Sequence, residues 1–264
     1  MSNNQALNQL LKGMFAERPP HRKLVPAWDL GEVLRSLADP PFEPLGQSPL
    51  LELSVKVAFL LAAATARRRS ELHALTLDRG HIRWEPHGVR LIPRTTFLAK
   101  NQSQDFQPPD IFVPELKSLS SVPEDKKWCP VRALKWYIAR TKPLRGSESQ
   151  LFITSTRPHR AASRDTISRW IVQAIQSGTP GSPSDRTGQG VHAHDTRAVT
   201  TSWALLRGVP VEEIMQAACW KSPSTFSSCY LRDVLLAEGR AGRVALSATM
   251  PSRSNPSSVG HSTQ

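Results

Sequence analysis

A chain of 264 residues can bury one good core, or one domain plus a fragment of a second. Its 34 lysines and arginines against 22 aspartates and glutamates leave a net charge of +12, which points to a polyanionic partner, nucleic acid first, although charge alone does not separate DNA from RNA or an acidic membrane. Three cysteines without paired spacing (Cys129, Cys219 and Cys229) argue against a disulfide framework or a metal site, and suit a reducing interior. The start, MSNNQALNQLLKGMF, lacks a signal peptide's apolar core, and the longest apolar run, Val57 to Ala66, is too short to span a bilayer. The expectation is a soluble intracellular protein with no membrane partner.

Residues 4–15 read as an amphipathic helix, with Leu7, Leu10, Leu11 and Met14 on one stripe. The proline-broken, basic stretch from Glu17 to Lys23 reads as a linker. Trp28-Asp29-Leu30 opens a helix through Leu37 that Pro40-Pro41 ends. Residues 49–66 are apolar nearly all round and predict a buried helix. It runs into Arg67-Arg68-Arg69-Ser70-Glu71-Leu72. Three arginines there cannot all be core residues, so some face a cleft, a carboxylate or solvent.

Short β-like runs follow at His81–Trp84, Val89–Arg94 and Ile111–Val113, with Lys100 in the polar stretch between the last two. Trp128 to Arg140 predicts a helix with Pro130 near its start and Tyr137 packed inside. Leu151–Thr154 is a short extended piece. Arg164 to Gln176 is an amphipathic helix whose Arg164 and Arg169 are placed to touch phosphates. A Gly/Ser/Pro loop leads to His192, and residues 249–264 are low-complexity.

The stretch from His192 to Tyr230 carries the chemistry. Val199, Trp203, Leu205 and Leu206 recur at helical spacing, which puts His194 and Arg197 one turn apart at a helix start. An imidazole, a guanidinium and the helix's own N–H groups then converge where a phosphate fits best. Gly208-Val209-Pro210 ends that helix, Val211 begins another, Trp220 and Lys221 follow, and Tyr230 closes the stretch. H-x-x-R alone is weak, since it recurs at His87–Arg90 in a strand-like context. The ordered set is far more specific.

That set resembles the second conserved box of the tyrosine recombinases, and the wording HDTRAVTTSWALLRGV…AACW…TF…CYLRDV is most similar to recombinases of DIRS-type retrotransposons. The first box, T-G-x-R-x-S-E-L, matches at Arg68, Ser70, Glu71 and Leu72, with Ala66 in place of the family glycine and a slightly strained turn implied. The resemblance implies a mainly α fold with a small antiparallel β-sheet, the integrase-like catalytic domain. It implies that Tyr230 attacks a DNA phosphodiester, while Arg68 and Arg197 donate paired hydrogen bonds to the phosphate oxygens. His194 donates to the same oxygens or accepts the tyrosine proton; Lys100 is the general acid toward the leaving 5′-oxygen. Trp220 donates its indole N–H or packs behind the phosphate, and Glu71 orients an arginine.

Arg67, Arg69, Arg164, Arg169 and Lys221 are expected to contact DNA. Many family members place the tyrosine nine residues after the histidine or tryptophan of the box; here the interval from Trp220 is ten, and nine back is Lys221. The implied partner is double-stranded DNA, with self-assembly on it, in the nucleus, without cofactor, metal or small-molecule substrate. Residues 1–23 resemble the remnant helix and linker of a core-binding domain, 24–240 the catalytic domain, and 241–264 a disordered tail. Three other readings stand beside this one: an idle DNA-binding module descended from such an enzyme, a type IB topoisomerase, and a helix-turn-helix regulator. The last accounts for the charge but not for the tyrosine.

Overall fold

Helix α2, Leu50–Thr65, is the element the others pack around: Leu53, Val57, Phe59, Leu60 and Leu61 are all buried on it. The computed structural model describes residues 28–100, 102, 104, 107–116, 125–178, 190–220 and 225–232. The expected helix over residues 4–15, its linker, Lys221 and the tail lie outside the described residues. Before α2 comes α1, Leu30–Leu37, whose first turn is capped by Asp29, which accepts the Glu32 N–H at 3.0 Å. After the β-strands come α4 (Asp125–Trp128), α5 (Pro130–Thr141) and α6 (Arg164–Gly178). Helices α5 and α6 flank α2, and α1 lies on α6. A Cβ at Gly178 would stand 2.4 Å from the Val33 Cα, so only glycine permits that approach.

One residue of α2 breaks the apolar reading. Lys56 is fully buried, and its ammonium donates to Glu43 at 2.6 Å and to the Leu37 carbonyl at 2.7 Å. Arg132 on α5 grips the same carboxylate with two bonds, 2.7 and 3.1 Å. A buried charge of this kind needs partners, and this trio supplies them across three parts of the chain.

Strands β1 (Ile82–Glu85), β2 (Gly88–Leu91) and β3 (Ile111–Pro114) form an antiparallel sheet in that order, with Trp84 opposite Val89 and Leu91 opposite Ile111. Val89, Leu91, Ile111 and Val113 point into the core, while Arg90 and Phe112 point out. Arg90 pairs with Glu85 at 2.7 Å, so the decoy H-x-x-R is part of this hairpin. The expected strands hold to within a few residues. The helix expected from Trp128 is instead two, because Cys129 is extended and Pro130 starts a new one. Tyr137 is buried and its hydroxyl accepts the Ile153 N–H at 3.0 Å, a packing role.

The last part contains α7 (Ala193–Leu206), α8 (Val211–Ala218) and a single π-helical turn, Phe226–Tyr230. Helix α7 packs on α2 and α6, whereas α8 packs on α7. Gly208, at φ +87°, makes the reversal between α7 and α8. A small second core forms here from Ala66, Ile214, Ala218, Trp220 and Phe226, with Tyr230 against its edge. No described helix is long and apolar enough to cross a membrane.

Candidate active site

Two left-handed residues set the geometry. Ala66 caps α2 at φ +50°, and Cys219 caps α8 at φ +55°; apart from glycines, they are the positive-φ residues among those described. Ala66 carries the strain expected where the resembled family has glycine. It turns the chain sharply, so that Arg67 enters the protein and Arg68 stays at the surface of a cleft. At Cys219 the same conformation lets the Trp220 N–H bond back to the Met215 carbonyl at 2.9 Å, which swings the indole under α7.

Arg68 is the residue before the short helix α3, Arg69–His73. Its backbone N–H donates to Glu71 Oε2 at 2.9 Å. The other carboxylate oxygen takes Arg67 Nη1 at 2.9 Å, and Arg67 Nη2 reaches the Pro109 carbonyl at 3.2 Å. Arg67 was expected at the DNA surface; it is buried and its fork is committed to these partners. Glu71 does orient an arginine by an ion pair, but the close partner is Arg67; Arg68 Nη1 stands 4.0 Å away. The run of three arginines thus divides: Arg67 inward, Arg68 at the cleft, and Arg69 exposed and paired with Asp165 at 2.9 Å.

The cleft holds about 640 Å³ and brings together Arg68, Lys100, Arg164, His194, Arg197 and Tyr230, residues from five separate parts of the chain. Arg69 and Arg67 reach its wall, and no carboxylate lines it among the described residues. Lys100 sits exposed on the connection between β2 and β3. Arg164, at the start of α6, shares the cleft; Arg169, one turn on, faces a neighbouring groove with Arg69.

His194 and Arg197 stand on the first turn of α7, where Asp195 accepts the His192 N–H at 2.9 Å. The His194 Nε2 is 3.0 Å from the Tyr230 hydroxyl. Its ring keeps an open edge to the cleft. The protein packed round the rest of it, then the cations Arg197 and Arg68, hold its pKa below the ordinary 6.5. A neutral imidazole in that position can accept a hydrogen bond from the phenol.

Arg197 is 2% exposed. It donates one Nη2 bond to the Ala218 carbonyl at the end of α8. Its Nε and Nη1 are buried without a hydrogen-bond partner among the described residues. The guanidinium lies 4.6 Å over the Trp220 ring and 5.3 Å over the Tyr230 ring, so aromatic faces replace part of its lost hydration. Burial, and next Arg68, pull its pKa well below the ordinary arginine range, to about 10. Trp220 is not on the cleft wall. It is buried 4.5 Å from Tyr230, and Phe226 stacks on its other side at 5.4 Å. Its indole Nε1 is buried without a hydrogen-bond partner among the described residues. Phe226 belongs to the matched wording, where the sequence assigns it no role; an aromatic four residues before the tyrosine is the signal for it.

The comparisons with solved structures bear on this arrangement. A crystal structure of XerA recombinase superposes with a TM-score of 0.53 at 16% identity, over 88% of this chain and 67% of that one. XerH site-specific recombinase bound to its difH substrate before cleavage gives 0.52 at 11% identity, over 92% and 64%. The fold is that of the tyrosine recombinases. XerH after cleavage, on a palindromic difH substrate, gives 0.50 at 13% identity, over 77% and 49%. The chain therefore spans between about half and two-thirds of the length of these recombinases. No protein-family model matches the sequence, and no curated protein matches it either.

Proposed function

We propose that the protein breaks and rejoins double-stranded DNA through a 3′-phosphotyrosine on Tyr230, as a recombinase or integrase of mobile-element origin. The observation that carries this reading is the cleft itself: two arginines, a histidine and a tyrosine from distant parts of the sequence meet in one basic concavity, with no carboxylate on its wall among the described residues. The shared fold supports it independently.

In the proposed reaction the scissile phosphate enters between Arg68 and Arg197. Tyr230 Oη attacks phosphorus and passes its proton to His194 Nε2. The P–O5′ bond breaks, Lys100 protonates the departing oxygen, and a free 5′-hydroxyl remains. The reverse sequence rejoins the strand, and the phosphodiester's energy is retained in the tyrosyl ester throughout. Negative charge on the five-coordinate phosphorus is met by donors already in place, each worth about 10² to 10³ in rate. Lys100 stands apart from the rigid set, on the β2–β3 connection.

The test is a nicked DNA duplex that loses a short 5′-hydroxyl fragment on cleavage and so traps the intermediate. The protein becomes covalently attached to DNA, and Tyr230→Phe abolishes the attachment. Salt-sensitive binding of duplexes with no adduct across a panel of sequences would sink the enzymatic reading and leave a DNA-binding module.

A further inference from the structure

The tyrosine rests on a single π-helical turn, Phe226–Tyr230, followed by extended backbone. One isolated turn does not hold itself, because helix nucleation is unfavourable and π geometry is rarely self-sustaining. Something outside must fix it. At its near end Phe226 stacks on Trp220. At its far end the Arg232 N–H donates to Ser202 Oγ at 2.8 Å, and the Tyr230 carbonyl oxygen lies 3.4 Å from the same hydroxyl.

Ser202 is 2% exposed and stands on α7, the helix that carries His194 and Arg197. Its single proton goes to the Ala198 carbonyl, 2.7 Å away, which leaves its lone pairs to the tyrosine segment. A serine or threonine bonding back four residues along a helix is commonplace. Thr200 and Thr201 do that here, to Thr196 and Arg197. Ser202 differs in also accepting an N–H from another part of the chain.

We infer that Ser202 is the positioning residue for the nucleophile: it bolts the Tyr230 segment onto the helix that holds the phosphate-facing side chains. The inference rests on the phosphotyrosine reading only for its catalytic arm. The bolt sets the height of the phenol over His194 and Arg197, and it acts through Tyr230 without touching the phosphate.

The experiment compares Ser202→Ala with Thr200→Ala in three measurements. Amide hydrogen exchange of the DNA-free protein is expected to speed up about tenfold at Arg232 in Ser202→Ala, the equivalent of one net hydrogen bond. Single-turnover adduct formation on the nicked duplex is expected to fall by up to about 10²-fold, as for a small misplacement of a reacting group. Cleavage by added hydrogen peroxide in a Tyr230→Phe background, where the small nucleophile replaces the phenol, is expected to stay unchanged. Thr200→Ala leaves all three as they are. Unchanged exchange at Arg232 overturns the inference, and so does an equal loss of tyrosine- and peroxide-driven cleavage, which would mean general damage to α7. Failure of the unaltered protein to form any adduct refutes the enzymatic reading instead, and the exchange measurement still decides the bolt.

Discussion

Replacing Arg197 by lysine keeps the formal charge and removes the fork. The guanidinium spends one Nη2 N–H on the Ala218 carbonyl, and its Nε and Nη1 have no hydrogen-bond partner among the described residues. An ammonium serves either the carbonyl or a phosphate oxygen from that depth, but it does not span both as a planar fork does. Loss of a preorganised donor costs about 2.7 to 4 kcal/mol, or about 10² to 10³ in the rate of adduct formation. A second effect follows from the surroundings. They hold the arginine well below its ordinary range, at about 10, and the same burial beside Arg68 would push a lysine's pKa down too. Its charge, and the residual activity with it, is present below that lowered pKa and lost as pH rises through it. Single-turnover adduct formation from about pH 6 to pH 9 reads both. Arg197→Lys is expected to be slow at neutrality and to lose its remaining rate at a lower pH than the unaltered protein does. A variant rate within about threefold of the original, or two parallel profiles to about pH 9, would refute the buried-fork argument.

Three further outcomes are expected. His194 has a pKa below 6.5, so the base is present at neutrality and adduct formation persists under mild acid, falling only as pH drops through that lowered value; an acid limb centred at or above 6.5 contradicts the assignment. Lys56→Met removes one cation from the buried trio but leaves Arg132 on Glu43, so denaturant unfolding should show a loss near the lower end of the buried-pair range, about 3 kcal/mol; a neutral result would mean that the Lys56–Glu43 pairing contributes nothing net. Ala66→Gly relieves about 1 to 2 kcal/mol of left-handed strain, but forfeits about 0.8 kcal/mol of methyl burial and about 0.4 to 1 kcal/mol through the freer unfolded chain. The sum lies within about 1 kcal/mol of zero, and a loss of about 1.2 kcal/mol or more, the two costs with nothing to offset them, would show that Ala66 is not strained.

The parts of this molecule that were readable in the sequence are those with local periodicity or local order. The apolar run of α2 and the first turn of α7 state their structure in neighbouring residues. The order Arg68, Lys100, His194, Arg197, Tyr230 led to one cleft because all but Lys100, which lies mid-connection between β2 and β3, sit at or near an element end marked by their neighbours. What stayed hidden depends on distant partners. Nothing near Arg67 reveals that the Pro109 carbonyl waits for it, so three adjacent arginines looked alike. Lys56 looks like an interruption until Glu43 and Arg132 arrive from either side. Trp220 gives no sign of which of its faces will meet Arg197. Ser202 reads as one more small polar residue on a helix, because its second partner lies thirty positions later.

Among the described residues, the second core is small: five buried side chains, against the much larger cluster around α2. Trp220, Phe226 and Ala66 belong to the smaller one, while the elements that carry Lys100 and Arg164 root in the larger. Cooperative opening of the smaller cluster alone would expose little apolar area and so cost far less than global unfolding. The Tyr230 phenol is thus housed in an annex with its own latch, able to loosen while the main building stands.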